Sequence, residues 1–195
     1  MNVQALAAYF LAAMLSWYPL KNHDFVKPHQ PAALTEAQTL ERYQSIATDL
    51  ATVVMADAPL PLDPQNKHPE FGSRPQTGMI VLSFAGFESG GFAEDVDNMT
   101  KLGDGGQAIC LMQVHSPFKE HVKDRVSCFR EGLSVMRSSW NMCTRADSVA
   151  DHLTGYTVGH CMHKEHGAEL RVGRGVKYWN ATPFIAIPES AVTVD

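Results

Sequence analysis

Glu88 stands at the end of an apolar run, Phe84-Ala85-Gly86-Phe87, and is followed at once by Ser89-Gly90-Gly91. Ile80, Val81, Phe84, Ala85 and Phe87 recur at helical spacing, and the two glycines read as a helix stop. A carboxyl in the last turn of a buried helix meets two effects of the same sign. Apolar surroundings disfavour its ionised form, and the negative end of the helix dipole does the same, so its pKa is expected to rise. That is the property a general acid needs near neutral pH. The plainer alternative is that Glu88 ends its helix in solvent, as most glutamates do. A second carboxyl, Asp104, lies downstream in Gly103-Asp104-Gly105-Gly106, where it supplies either a base or simply a tight turn.

Three short motifs follow one another in order. Glu88-Ser89-Gly90 is the first, Gly103-Asp104-Gly105-Gly106 the second, and Leu111-Met112-Gln113-Val114 the third. Together they resemble the goose-type lysozymes and soluble lytic transglycosylases, over about residues 77 to 179. Further on, Gly155-Tyr156-Thr157-Val158-Gly159 resembles that family's Ala-Tyr-Asn-Ala-Gly element. The resemblance implies a lysozyme-like fold, α+β and predominantly α-helical, with a small β-lobe flanking a glycan-binding cleft. It implies Glu88 as the catalytic acid and Asp104 as a second catalytic carboxylate. Ser89, Gln113, Tyr156, Thr157 and Gly159 fall on substrate-binding positions. Three residues depart from the pattern: Cys110 replaces a glycine, Thr157 an asparagine, and His115 a second aspartate.

The implied substrate is the β-1,4 bond between N-acetylmuramic acid and N-acetylglucosamine in peptidoglycan. Cleaving it requires protonation of the leaving oxygen and stabilisation of an oxocarbenium-like transition state. Glu88 would give the proton. In an inverting hydrolase a second carboxylate, here Asp104, activates water; in a lytic transglycosylase the sugar's own 6-hydroxyl attacks and Glu88 acts as acid and then base. With His115 where a second aspartate would stand, the expectation tilts toward transglycosylation. No cofactor and no metal are implied.

These residues must be positioned by the surrounding elements. Thr35 to Ala56 is expected to be a helix, capped by Thr35 with Gln38 and buried along Leu40, Tyr43, Ile46, Ala47, Leu50, Val53 and Val54. A Pro-rich connector from Pro59 through Pro75 follows. The Glu88 helix is placed over Thr77 to Phe87, with Thr77 as N-cap. Ala93 to Val114 is rich in glycine and is expected to hold short strands. Ser116-Pro117 reads as N-cap and first-turn proline of a helix carrying Val122, Val126, Phe129, Leu133 and Met136. A last helix is expected near Ala168 to Trp179. The implied organisation is residues 1–76 packed on a catalytic core of 77–179, with an extended tail at 180–195.

At 195 residues and 45% hydrophobic content the chain can bury a sizeable core in one unit. A net charge of −5 argues against nucleic acid as a partner. Val3 to Leu20 carries no charge and has an apolar helical stripe, which suits a packed helix, a membrane-associated or protein-docking segment, or a cleaved signal lacking its basic start. Four cysteines allow three disulfide pairings, and Cys110, in its apolar run, is expected to be a buried free thiol. His160-Cys161-Met162-His163-Lys164-Glu165-His166 has metal-ligand residue types, but they crowd one short stretch and a helix would spread His160 and His166 to different sides, so a polar helix end or loop is expected. The expected setting is a bacterial periplasm and cell envelope or a bacteriophage virion. A structural or assembly protein on the same scaffold is the alternative from another class.

Overall fold

The computed structural model describes residues 1–20, 34–62 and 74–185. It is predominantly helical. Among the described residues, eight α-helices run in the order α1 (Val3–Trp17), α2 (Glu36–Ala56), α3 (Arg74–Glu88), α4 (Glu94–Asp97), α5 (Arg125–Met142), α6 (Val149–His152), α7 (Thr154–Val158) and α8 (His166–Ala181). Between α4 and α5 lies the one sheet among the described residues, β1 (Ala108–Ile109) antiparallel to β2 (Val114–His115). Ala108 faces His115, Ile109 faces Val114, and Gly103 adds a bridge to Ala108.

α3 is the central helix. Every residue from Thr77 to Gly86 is buried, because α1, α2, α5 and α8 all pack on it. α2 forms as its sequence dictates: the Thr35 hydroxyl accepts from the Gln38 N–H, the Gln38 side chain accepts from the Thr35 N–H, and Tyr43, Ile46, Leu50 and Val54 face inward. α1 buries Leu6, Phe10, Ala13 and Met14, mainly against α2. The tip of the Phe10 ring abuts Gly78 of α3, where a Cβ would fall 2.0 Å from Phe10 Cζ. No described helix is long and apolar enough to cross a membrane. The Tyr9 hydroxyl donates to the Thr182 carbonyl at 2.8 Å and its ring meets Phe184, so the start of the expected tail lies on α1. The remainder of that tail and most of the Pro-rich connector fall outside the described residues.

Two helix starts differ from expectation. α3 begins at Arg74, so Pro75 sits in its first turn, where a missing N–H costs nothing. Thr77 is therefore inside the helix rather than its N-cap, and its buried hydroxyl accepts from the Leu60 N–H. α5 begins at Arg125, not after Ser116-Pro117. Asp124 accepts from the Ser127 N–H at 2.7 Å while Ser127 answers the Asp124 N–H at 2.9 Å, a capping box that outcompetes the upstream serine. Ser116-Pro117 has a cis peptide bond and leads into a 3-10 turn at Phe118–His121, and Val122 lies before the helix.

Cys110 is not a free thiol. It is bonded to Cys128 of α5, and Cys143 at the end of α5 is bonded to Cys161. Burial in an apolar run suits a half-cystine as well as a thiol, so the local pattern could not separate them. A second anchor of the region before the sheet is Asp97, whose fully buried carboxylate takes Arg42 at 3.1 Å and Arg125 Nε at 2.8 Å. This ties α4 to both α2 and α5.

α8 lies close against α3. Gly175 permits this, since a Cβ there would stand 3.0 Å from the Met79 carbonyl oxygen and 3.2 Å from Ile80 Cδ1. Gly175→Leu is expected to destabilise the fold by about 1–3 kcal/mol through overpacking. Urea denaturation checks this, and an unchanged midpoint would show that the two helices can separate without cost.

Candidate active site

Glu88 is the last residue of α3, and the chain turns away from it through Gly90 (φ 65°), Gly91 (φ 91°) and Phe92 (φ 59°). The Gly91 N–H returns to the Gly86 carbonyl at 2.7 Å and closes the helix end. Ser89 serves this turn. It is buried, with its hydroxyl donating to the Ala85 carbonyl at 2.6 Å and accepting from the Phe92 N–H at 2.9 Å, so its hydroxyl is committed to the turn.

The Glu88 carboxyl is largely withdrawn from solvent. Its side chain keeps 20% of its surface exposed, and Oε1 accepts from Arg171 Nε of α8 at 2.9 Å. Arg171 is itself fixed: its NH1 donates to the Gly167 carbonyl at 2.9 Å, its backbone carbonyl accepts from Ser83 at 2.7 Å, and its guanidinium lies over Phe84 and Phe87. Burial raises the Glu88 pKa above its ordinary value; the Arg171 charge, the Arg171 hydrogen bond and the His115 charge oppose it without cancelling it. The carboxyl therefore holds its proton to a higher pH than a solvated glutamate.

Arg171→Met would remove the principal opposing charge. Glu88 should then stay protonated to a still higher pH, so the falling limb of any activity that uses it as an acid should move up. A pH–rate profile of the variant measures this directly, and a limb that stays or moves down would show that Arg171 does not act on the carboxyl.

Tyr156, on α7, stands beside the pair. Its ring meets Phe84 edge-on at 5.2 Å and its hydroxyl donates to the Met112 carbonyl in the turn between β1 and β2. Burial raises its pKa well above the usual phenol value, and the Glu88 charge adds to this while Arg171 opposes it. Tyr156 is thus a neutral donor that ties the small sheet to α7 next to Glu88. His115, at the end of β2, is close enough for its charge to act on Glu88, and its Nδ1 stands 3.8 Å from Asp104 Oδ2.

The other expected residues are placed less directly. Gln113 turns inward: Nε2 donates to the Cys110 carbonyl at 2.9 Å, and the carboxamide fills the space a Cβ on Gly103 would need. Thr157 lies within bonding distance of the Thr154 carbonyl (3.1 Å) and the Glu165 carboxylate (3.0 Å). Glu165 caps α8, accepting from the Gly167 and Ala168 N–H groups at 2.8 and 2.6 Å. Burial would raise its pKa, but these hydrogen bonds and the Arg171 charge bring it below the usual range. Gly159 ends α7 in the left-handed region at φ 77°. Thr157 and Gly159 thus shape the step from α7 toward α8, and Glu88, Tyr156, His115 and Asp104 are what the fold gathers.

Arg171 is the residue that sequence reasoning missed. Nothing near Glu88 in the chain signals it, because the partner is 83 positions away. The histidine-rich segment 160–166 does not assemble a metal site: Cys161 is spent in a disulfide, and no group of three or more His, Cys, Asp or Glu among the described residues could hold an ion. A concavity of about 260 Å³ lies there instead, lined by Met142, Arg145, Asp151, Met162 and His163 around the Cys143–Cys161 bond. It contains none of the expected site residues. No protein family, curated protein or solved structure matches this chain.

Proposed function

We propose that this chain cleaves the glycan strands of peptidoglycan at the β-1,4 bond between N-acetylmuramic acid and N-acetylglucosamine, with Glu88 as the proton donor. One observation carries the reading: a carboxyl at the buried end of the central helix, kept protonated beyond its ordinary range, beside Tyr156 and a small two-stranded lobe. Proton donation to the leaving oxygen is the step a glycosidic bond most needs, and such a group supplies it. A lysozyme-like arrangement accords with this division, in which helices form the body and residues 103–115 form a small lobe tied to the Glu88 helix through Tyr156. The reaction needs no cofactor. The cell envelope and a phage particle that breaches it are the settings in which this substrate is met.

Zymography on purified peptidoglycan is the test. Clearing by the wild-type protein, with soluble muropeptides released, is the expected result; silence at every pH tried, with the protein shown to be folded, ends the reading.

One feature favours a second reading. The Glu88–Arg171 pair joins α3 to α8 and could act purely as a fastening, in which case the protein is a structural or assembly component that keeps the scaffold without the chemistry. Such a protein clears nothing, yet loses stability when either partner is replaced.

A further inference from the structure

Pairing within the small lobe brings Asp104 and His115 together. Gly103 bridges Ala108, and Ala108 is the register partner of His115, so Asp104 and His115 share one edge. There His115 Nδ1 and Asp104 Oδ2 are 3.8 Å apart, with half of the histidine side chain and 69% of the aspartate side chain open to solvent. Neither residue belongs to the hydrophobic core. The lobe that presents them is built at a cost in backbone energy: Asp104, Cys110 and Gln113 all lie in the left-handed region, at φ 46°, 65° and 46°. Non-glycine residues in such conformations cluster where a site is being shaped. The lobe is also fixed toward Glu88, since Met112 accepts the Tyr156 hydroxyl, Tyr156 packs on Phe84, and Phe84 lies one turn before Glu88 on α3.

We infer that His115, paired with Asp104, is the general base that activates water for the glycosidic cleavage in which Glu88 is the acid. This rests on the glycan-cleaving reading and decides its outcome in favour of hydrolysis, against the expectation drawn from a histidine standing where an aspartate would. Nδ1 faces Asp104, which leaves Nε2 as the basic nitrogen. As the bond from the anomeric carbon to the leaving oxygen breaks, that oxygen takes the Glu88 proton. The water oxygen bonds to the anomeric carbon from the other face, and its proton passes to His115 Nε2. The imidazolium so formed is stabilised by the Asp104 carboxylate, and exchange with solvent returns the proton to Glu88 and restores neutral His115. A separation of 3.8 Å exceeds a direct hydrogen bond, so this chemistry requires the contact to shorten when substrate enters, as catalytic contacts often do.

Mass spectrometry of muropeptides released from purified peptidoglycan tests this. The wild type should release reducing ends. His115→Ala and His115→Gln should lower reducing-end release by about 10²-fold or more, with 1,6-anhydro ends becoming the main product, and Asp104→Asn should lower it less. Azide, which needs no base, should restore turnover in His115→Ala as a glycosyl azide. Circular dichroism matching the wild type shows that the variants fold. Reducing ends released by both His115 variants at the wild-type rate overturn the proposal and mark the pair as a solvated surface contact. A wild type that releases only anhydro ends overturns it too, while leaving glycan cleavage standing. A wild type that releases nothing overturns both.

Discussion

Glu88→Gln is expected to lower the rate of peptidoglycan cleavage by about 10²–10⁴-fold, the usual contribution of a positioned general acid. The substitution keeps the side chain's size and leaves an acceptor for Arg171 Nε, but removes the transferable proton. Arg171 also keeps the Gly167 carbonyl and the faces of Phe84 and Phe87, so its own position should hold. The stability change has a definite sign with pH. Because the folded pKa of Glu88 lies above its unfolded value, its titration favours the folded state fully below the unfolded pKa, and this is lost as pH rises through the folded pKa. Glutamine does not titrate, so the variant should lose less stability than the wild type as pH rises through that window. Initial rates with labelled peptidoglycan and thermal melts at several pH values measure both effects. Full activity in the variant removes Glu88 from the chemistry.

How much was legible in the sequence follows from how local each signal is. α2 carries its cap, its capping-box partner and its apolar stripe within one segment, so its limits could be read directly. Glu88 at a glycine-stopped helix end was legible for the same reason. The start of α3 was not, because Pro75 belongs equally well to a connector and to a first helical turn, and only burial of Thr77 under Leu60 decides between them. Asp124 overrode Ser116 because its partner Ser127 completes a reciprocal cap, a competition that depends on how the preceding chain approaches the helix. Gln113 was expected to face substrate, yet its amide serves the turn between the strands because Gly103, ten residues earlier in sequence, leaves room for it. Arg171 and the Cys110–Cys128 bond depend on contacts between distant segments, and no periodicity reports those. Burial sets the direction of the Glu88 shift, and the charge that opposes it comes chiefly from α8, the element whose role the sequence left least defined.

Joint replacement of Cys110 and Cys128 by alanine is expected to cost about 2–5 kcal/mol, the range for removing a native disulfide, with the loop-entropy account giving about 3 kcal/mol for a loop of this size. Both residues are buried, at 2% and 0% exposure, so lost packing adds to lost constraint. At about 2–4 °C per kcal/mol for a chain of this length, the melting temperature should fall by roughly 4–20 °C. The damage should concentrate on the small lobe. Cys110 opens the turn between β1 and β2, whose left-handed residues need an external anchor, and Met112 in that turn holds Tyr156. Once the tie to α5 is cut, the Tyr156 hydroxyl should lose its fixed acceptor and His115 its fixed distance from Glu88, so cleavage should drop even at temperatures where the helices remain folded. Replacing Cys143 and Cys161 is the matched control, because that bond closes the same number of positions, 18, and joins the end of α5 to the segment after α7 rather than to the lobe. Equal stability losses with activity lost only in the first pair would locate the bond's importance in the lobe. Unchanged melting in the first pair would mean that Met112 against Gly132 already secures the lobe to α5 without it.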